Sequence, residues 1–411
     1  MIHMQQSFNE QEIEILKTLE YCTGDYKTIL QMPSIMPQQP FCESIVSFLS
    51  DLSTELLRLK EAKEYSDVIT FAFWIRKASL IQLKAKNYVE EGKRTCLGRG
   101  VAFHIAPSNV PVNYAYSLVA GLLTGNANIV RIPSKKFQQV EIINRTICDV
   151  LHNHNEVTPY IALVRYGHQQ DVNDIFSRIC NTRIIWGGDA TISEVRKSPI
   201  GSRTTEITFA DRYSIAVIDS DAYLDIQDKK RIAEDFYNDT YLTDQNACTS
   251  PKVIVWTGHN KEKAKSIFWE CLHDIVESRY TFQNIQGIDK LTTTCLAATA
   301  YDNLQVIPST DNLIIRIKVL KCLPELMNYN GNSGYFYELD CDDILELKDL
   351  CDCIKCQTVS YIGDNKMFEP LLLSGSHGID RIVPVGKTMD FELVWDGYKL
   401  VEMLTRTICI S

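Results

Sequence analysis

The sequence predicts an α/β protein in which helices cover parallel sheets, preceded by a helical lead-in. Short apolar runs of strand length alternate with helix-period stretches from about residue 100 onward, and such alternation places parallel strands beside crossover helices. Small-residue turns punctuate the runs, as at Gly125-Asn126 and Gly187-Gly188. The 411 residues are 45% hydrophobic and 23% charged. A chain of this size and composition builds an ordinary core without disulfide or metal staples, which excludes disorder, collagen-like sequence and coiled coil.

Residues 1–94 space acids, amides and apolar residues at helical period, as in Glu10 to Leu19 and Leu52 to Lys63, with a proline-rich break from Met32 to Pro40. They are expected to form a helical N-terminal extension. Four strand-helix steps follow. Gly100 to Ile105 leads to an apolar helix ending near Gly125, and Asn128 to Ile132 to a helix over Gln138 to His152. Ile161 to Tyr166 leads to a helix over Asp171 to Cys180, and Thr182 to Trp186 passes through Gly187-Gly188 into Ala190 to Lys197. Residues 95–214 are therefore expected to be a nucleotide-binding parallel-sheet domain. A second α/β block opens at Tyr213 to Ile218 and continues through Pro251 to Trp256, Leu313 to Val319 and Thr358 to Ile362. This gives a domain over 215–372 and a C-terminal segment, 373–411, that returns to the first domain or forms an oligomer interface.

With 52 acids against 42 bases the net charge is −10, a field that repels nucleic acid and anionic membrane. The most apolar stretch, Val110 to Leu123, is interrupted by Pro111 and Asn113. It is shorter than the roughly 18 residues of a membrane span, so a buried helix is expected and no span. Acids and amides stand where an export signal places a cationic start and an apolar run, so the 14 cysteines are expected as reduced thiols in the cytoplasm.

Cys248 lies in Asp-Gln-Asn-Ala-Cys-Thr-Ser-Pro, a small and polar stretch before a strand. A thiol on such a turn is reachable and can be activated by backbone donors, which makes it the nucleophile candidate; a small buried residue is the bland alternative. Pro107-Ser108-Asn109 follows the first strand, at the edge where open parallel sheets take ligands, and Asn109 could donate to an oxyanion or simply make the turn. Gly187-Gly188 precedes a helix whose start carries Thr191 and Glu194 at capping-box spacing, where amides could hold phosphate, although Asp189 is an unwelcome neighbour. Cys351, Cys353 and Cys356 contain one CxxC pair, with Cys341 as the nearest further thiol. One pair without a second leaves no metal expected. His377 reads as a satisfied loop histidine.

Six ordered blocks carry a family resemblance. They are Gly98-Arg-Gly-Val-Ala-Phe-His-Ile-Ala-Pro-Ser-Asn109, Ser117 to Ser134, Trp186-Gly-Gly188, Gln245-Asn-Ala-Cys-Thr-Ser-Pro251, Gln357-Thr-Val-Ser-Tyr-Ile-Gly363, and Gly378 to Gly386 with Val394-Trp-Asp-Gly-Tyr398. From about residue 95 to the C-terminus the chain resembles the aldehyde dehydrogenase superfamily, in particular its bacterial acyl-CoA reductase branch of the LuxC type.

The resemblance implies an aldehyde dehydrogenase-like fold with Cys248 as nucleophile and Asn109 helping the Cys248 amide hold the oxyanion. It places Pro107, Ser108, Arg131, Ser134, Lys135, Gly187 and Gly188 at a nicotinamide dinucleotide. Oxidising members carry a glutamate that activates water; aligned through Tyr213-Ser-Ile-Ala-Val217, Thr208 stands there, and threonine is no base near neutrality. Glu206, two positions away on the same strand face, could restore one. Where the family's acid meets the adenosine ribose, this chain has Lys135, with Arg131 and Lys136 nearby, so NADPH is expected. The expected activity is NADPH-dependent reduction of a fatty acyl-CoA thioester to aldehyde through thioacyl-Cys248. The rivals are a CoA-acylating or oxidising aldehyde dehydrogenase and a non-catalytic subunit of an acyl-activating complex. The resemblance further implies an acyl-CoA or acyl-carrier substrate, an acyl-protein synthetase partner and a homo-oligomer.

Overall fold

A computed structural model of the chain describes residues 8–88, 94–107, 110–321, 324–352 and 355–409. It divides into two compact units, Met1–Ala210 with Phe391–Ser411, and Asp211–Asp390.

The first unit holds a six-stranded sheet in the spatial order Glu20–Thr23, Ile161–Arg165, Ala127–Arg131, Val101–Ile105, Thr182–Trp186, Thr205–Phe209. All neighbours pair in parallel except Glu20–Thr23, which runs antiparallel on the edge. Val101–Ile105, Ile161–Arg165 and Thr182–Trp186 are buried along their whole length, as strands covered on both faces must be. Counted from Val101–Ile105, the five parallel strands lie third, second, first, fourth, fifth. The strand order therefore reverses between Val101–Ile105 and Thr182–Trp186, and ligands of such sheets bind outside the carboxyl ends at that point.

Two expectations about this unit change. The lead-in is not a separate helical extension. Ile45, Phe48, Leu49, Leu52 and Leu56 of the helix Glu43–Arg58 pack in the same core as the sheet, and Glu20–Thr23 supplies an edge strand. That strand shows one buried position in four, so it has no alternation to read. An ion pair helps seat it: Arg165, 7% exposed, meets Glu20 and, at 2.6 Å, Glu141. At the other end the chain rejoins this unit at Phe391 rather than 373, with Phe391, Leu393, Trp395, Leu400, Val401 and Leu404 in its core. Thr405–Cys409 then pairs antiparallel with Arg94–Gly98.

The second unit holds a seven-stranded sheet, Gln305–Ile307, Ile315–Lys318, Tyr335–Asp340, Pro251–Thr257, Tyr213–Asp219, Cys356–Ile362, Arg381–Pro384. It is parallel except for Gln305–Ile307. Side chains alternate between two cores: Ile215, Val217, Val253 and Val255 enter one, Ala216, Ile218, Ile254 and Trp256 the other. Tyr335–Asp340 is a central strand that the hydrophobic pattern misses, because Glu338 interrupts it. Yet Glu338 is 2% exposed, gripped by Arg316 at 2.8 and 3.0 Å and by the Trp269 indole N–H at 3.2 Å. Among the described residues no helix is long and apolar enough to cross a membrane.

Candidate active site

The second unit presents Cys248 on a turn between the 3₁₀ segment Tyr241–Thr243 and the strand Pro251–Thr257, at the amino end of the parallel sheet. Asp244 and Gln245 both take left-handed backbone conformations, φ 50° and 58°, a costly arrangement for residues with a Cβ. The Gln245 side chain holds them there. Fully buried, it donates to the carbonyls of Pro251 and Tyr335 at 2.8 and 3.0 Å and accepts from the Gly334 and Tyr335 amides, each at 3.0 Å. All four bonding positions of its amide are used. The Cys248 carbonyl accepts from Ser214 Oγ at 2.8 Å, and that oxygen accepts from the Thr358 amide at 3.2 Å. Cys248 itself is half-buried. Thr249 donates to Met389 Sδ at 3.4 Å.

Lys252 lies four residues on, 7% exposed. Its Nζ donates to the Gln245 carbonyl, to Asn332 Oδ1 at 2.5 Å and to the Gly331 carbonyl at 3.4 Å. Burial pushes this ammonium down to about 7, against a pull upward from the Cys248 thiolate. Sequence reasoning gave no role to Lys252, Gln245 or Asn332. A readable signal for Lys252 was a single cation immediately before the apolar run Val253-Ile-Val-Trp256, within the predicted strand Pro251 to Trp256.

In the first unit the cofactor candidates gather at the carboxyl edge of the sheet. Pro107 follows Val101–Ile105; Ser108 and Asn109 lie outside the described residues. Arg131 ends the second parallel strand, and Ser134 and Lys135 are exposed just beyond it. Arg131 is engaged already. Its Nε and Nη2 donate to the carbonyls of Tyr166 and Gly167 at 3.3 and 2.9 Å, and its guanidinium lies 4.8 Å from the Tyr166 ring centre. Lys135 Nζ rests 5.0 Å from the Phe137 ring centre. Gly187 donates its amide to the Phe209 carbonyl at 3.1 Å, so that N–H is committed to the sheet. Gly188 is the N-cap of Asp189–Val195, whose start precedes Thr191. The capping box expected at Thr191 and Glu194 therefore does not form, and no side-chain cap is present.

Glu206 sits on Thr205–Phe209 beside Thr208 but is bound in an ion cluster. Arg183, 2% exposed, donates to it through Nε at 2.8 Å and Nη2, and Arg196 Nε donates at 2.7 Å. Partial burial pushes the carboxyl up, but the bonds from Arg196 and Arg183 outweigh this and hold it below the ordinary value. A carboxylate so stabilised is a poor general base.

The remaining candidates are the clustered cysteines and His377. Cys351 and Cys356 are fully buried, and the hydrogen bond between their thiols raises Cys356 well above its ordinary value. Cys341 donates to the Asp343 carbonyl at 2.9 Å, and Cys353 lies outside the described residues. Among the described residues no three His, Cys, Asp or Glu side chains are grouped to hold a metal ion. His377 pairs with Asp352 at 2.7 Å on the surface.

A parallel sheet with its reversal point beside dinucleotide-type loops, joined in one chain to a second parallel sheet that carries a cysteine turn, defines a protein of aldehyde dehydrogenase-like fold. Solved structures agree. An aldehyde dehydrogenase from Pseudomonas aeruginosa superposes with a TM-score of 0.66 at 12% identity, covering 97% of this chain and 87% of that one. A glyceraldehyde-3-phosphate dehydrogenase from Methanocaldococcus jannaschii, complexed with NADP, gives 0.64 at 10% identity, covering 98% and 94%. At such identities the likeness establishes the fold alone.

The model of the acyl-CoA reductase (LuxC) family matches residues 26–279, and the chain belongs to that family. A long-chain acyl-protein thioester reductase of Vibrio harveyi is 28% identical over 171 residues, 41% of this chain and 34% of the relative. Another from Photorhabdus luminescens is 23% identical over 326 residues, 75% of this chain and 63% of the relative. The chain thus spans between a third and just under two thirds of the length of these relatives.

Proposed function

We propose that the chain reduces fatty acyl thioesters to aldehydes with NADPH through a thioacyl enzyme at Cys248. The Cys248 thiolate attacks the thioester carbonyl, a C–S bond to the enzyme forms, and the bond to the CoA or carrier thiolate breaks. When bound, the reduced dinucleotide supplies a hydride for the thioacyl carbon. Collapse of the resulting tetrahedral alkoxide releases aldehyde and returns the Cys248 thiolate. Asn109 and the Cys248 amide are assigned to the oxyanion.

The observation that carries the reading is the state of Glu206. With the Glu206 carboxylate bound to Arg183 and Arg196, and threonine at 208, neither position that the resemblance offers for a water-activating base is suited to that role. This favours the reductase over an acid-forming dehydrogenase.

The strand order of the first unit suits a dinucleotide, and Lys135, exposed beyond the second parallel strand, suits a 2′-phosphate. Pro107, Ser108, Arg131, Ser134, Gly187 and Gly188 complete the assigned edge. Gly187 contributes shape rather than its committed amide, and Arg131 contributes charge with two of its donors already used. The family relatives are named for long-chain acyl groups carried on protein. A long acyl chain delivered by CoA or by an acyl-protein synthetase partner, to a homo-oligomeric enzyme, is the corresponding assignment here.

The test is incubation with radiolabelled acyl-CoA, followed by NADPH and aldehyde analysis. Wild type should take label and release aldehyde, whereas Cys248→Ala should do neither while still binding NADPH. Full reduction by Cys248→Ala, or CoA-independent acid formation from aldehyde by wild type, would overturn the reading.

A further inference from the structure

We propose that the helix Asn284–Ala300 of the second unit is an interface for a second copy of this chain, joined helix on helix through its outward face. Such a pair supplies the homo-oligomer assigned above with a surface; it rests on that assignment and on no step of the reduction.

The helix is built inside out. An ordinary surface helix buries its apolar stripe and exposes its charges. Here Ile285, Ile288, Leu291 and Leu296 are between 52% and 66% exposed, whereas Lys290 and Ala297 are buried. Polar bonds hold the inward side. Lys290 Nζ donates to the carbonyls of Asn312 and Leu313 at 2.6 and 3.2 Å and lies 5.2 Å from the Phe282 ring centre. Gln286 Nε2 donates to the Tyr280 hydroxyl at 2.8 Å. No described residue of the helix enters an apolar core of either unit. Helices of this length draw most of their stability from an apolar face packed on a neighbour, so the outward residues call for a cover.

Their spacing identifies that cover as a helix. Ile285, Ile288, Thr292, Cys295 and Thr299 recur at steps of three and four, and all five are exposed. This is the seam that a facing helix fills, and Leu291 and Leu296 flank it. Lys290 and Ala297, seven residues apart, lie on the side opposite the seam, which accounts for their burial against the unit. The polar atoms of the seam are already spent: the Thr292 and Thr299 hydroxyls donate to the carbonyls of Ile288 and Leu296 at 2.9 and 2.7 Å.

Charge selects a second copy. The chain carries −10, so two copies repel except where they meet through uncharged surface. The seam is such a surface, with Asp289 at its edge and Lys290 turned away. A charged partner or an anionic membrane would be met by side chains of opposite sign, and the seam holds none. The same helix on another copy matches it in length, spacing and neutrality, as a self-complementary two-fold contact requires. Pairing through the seam and its flanks buries on the order of 1,000 Å² in total, the lower bound for a specific interface.

Sedimentation velocity of the full chain tests this over about 1 to 100 µM, the range in which so small an interface dissociates. Wild type should gain mass across that range. Ile288→Glu should raise the dissociation constant about tenfold or more and, at an exposed site, keep the wild-type urea midpoint. Leu373→Glu, which puts the same charge on a leucine 81% exposed elsewhere, should associate as wild type does. A bis-maleimide should join two wild-type chains through Cys295, read by mass spectrometry of the linked peptides, and Cys295→Ser should abolish the link.

A wild type that stays a single chain throughout removes both the homo-oligomer and this interface, also where another protein or lipid vesicles cover the helix. An oligomer that folded Ile288→Glu leaves intact, or that gives no link between two Cys295 residues, removes the interface alone. Should Ile288→Glu fail to fold, the wild-type link decides. Aldehyde formation is scored separately, and a single chain that still reduces thioesters keeps the reductase reading.

Discussion

The two units load opposite ends of their parallel sheets. In the first, the assigned dinucleotide residues sit beyond the carboxyl ends of strands, where the chain leaves for a crossover helix, and Ser134 and Lys135 stand exposed. In the second, the proposed nucleophile Cys248 sits before the amino end of Pro251–Thr257, on a turn tied by Gln245, Ser214 and Lys252 to the starts of strands. At the carboxyl edge Ser134 and Lys135 stand exposed, although Arg131 and the Gly187 amide are already bonded. An amino-edge turn can be wired into the sheet, and a reacting atom that must be held to a fraction of an ångström benefits from that wiring. On the proposed assignment the contrast separates binding from chemistry, and each side should be open to disturbance alone.

The largest expected effect is at the amino edge. Cys248→Ala should lower the rate of aldehyde formation by about 10⁴-fold or more, the scale lost with a covalent nucleophile, and leave NADPH affinity within twofold. Fluorescence titration beside the turnover assay checks both. Equal loss of NADPH binding would show that the two edges are not separable.

Next comes the ion cluster of the first unit. Glu206→Leu leaves Arg183 buried with a charge met by no carboxylate, only by Ser177 Oγ at 3.0 Å and the Ser198 and Val195 carbonyls at 2.8 and 3.3 Å among the described residues. Removing one member of a buried pair costs about 3–5 kcal/mol, read as a lower urea midpoint. Because this carboxyl is held below its ordinary value, its stabilisation is present above the unfolded value and is lost as pH falls through the folded one. If Glu206 were instead a general base, its loss would abolish acid formation from aldehyde and leave stability unchanged.

Smaller again is the expected effect of Lys135→Glu, which places an acid where a 2′-phosphate is assigned. The KM for NADPH should rise about tenfold, as one lost charged contact permits, while NADH is affected less and Cys248 acylation without cofactor is unchanged. A KM that moves equally for both cofactors would place Lys135 outside the 2′ site.

These residues also show what a sequence discloses. Strands buried on both faces, such as Ile161–Arg165 with its run Ile-Ala-Leu-Val, are apolar almost throughout and were legible to within a residue. Tyr335–Asp340 was not, since a charge inside a run suggests solvent and only the fold reveals that Arg316 and Trp269 await Glu338. Glu20–Thr23 failed for the opposite reason: an edge strand need not alternate, and its pairing with Ile161–Arg165 joins residues more than 130 apart. Cys248 could be singled out because its turn is small and polar. Lys252 and Asn332 could not be joined to it, because 80 positions separate the two that meet. Motifs single out a candidate residue, and tertiary contacts show what surrounds it.

The smallest effect at neutral pH lies beneath the carboxyl edge. His104, 1% exposed in the strand Val101–Ile105, has Nε2 at 3.0 Å from Asn128 Oδ1 and Nδ1 at 2.7 Å from Ser117 Oγ. Asn128 commits its Nδ2 to the Asn126 carbonyl at 2.7 Å, so Oδ1 only accepts and His104 Nε2 must carry the proton. Nδ1 then accepts from Ser117, whose oxygen in turn accepts from the Trp186 indole N–H at 3.0 Å. This chain runs from the first parallel strand to the last residue of the fourth, across the reversal point, and works only with a neutral ring. Burial pushes the imidazole down to about 4, against a weaker upward pull from Asn128. The unfolded chain therefore binds the extra proton first, so the contribution of His104 to stability is constant above about pH 6.5 and falls as pH drops from there toward 4. The slope is at most about 1.4 kcal/mol per pH unit for one proton. His104→Gln, which retains one donor and one acceptor, should flatten urea midpoints between pH 7 and pH 5 relative to wild type and change little at pH 7. An unchanged slope in that variant would mean that the acid sensitivity of the first unit arises elsewhere than beneath its ligand edge.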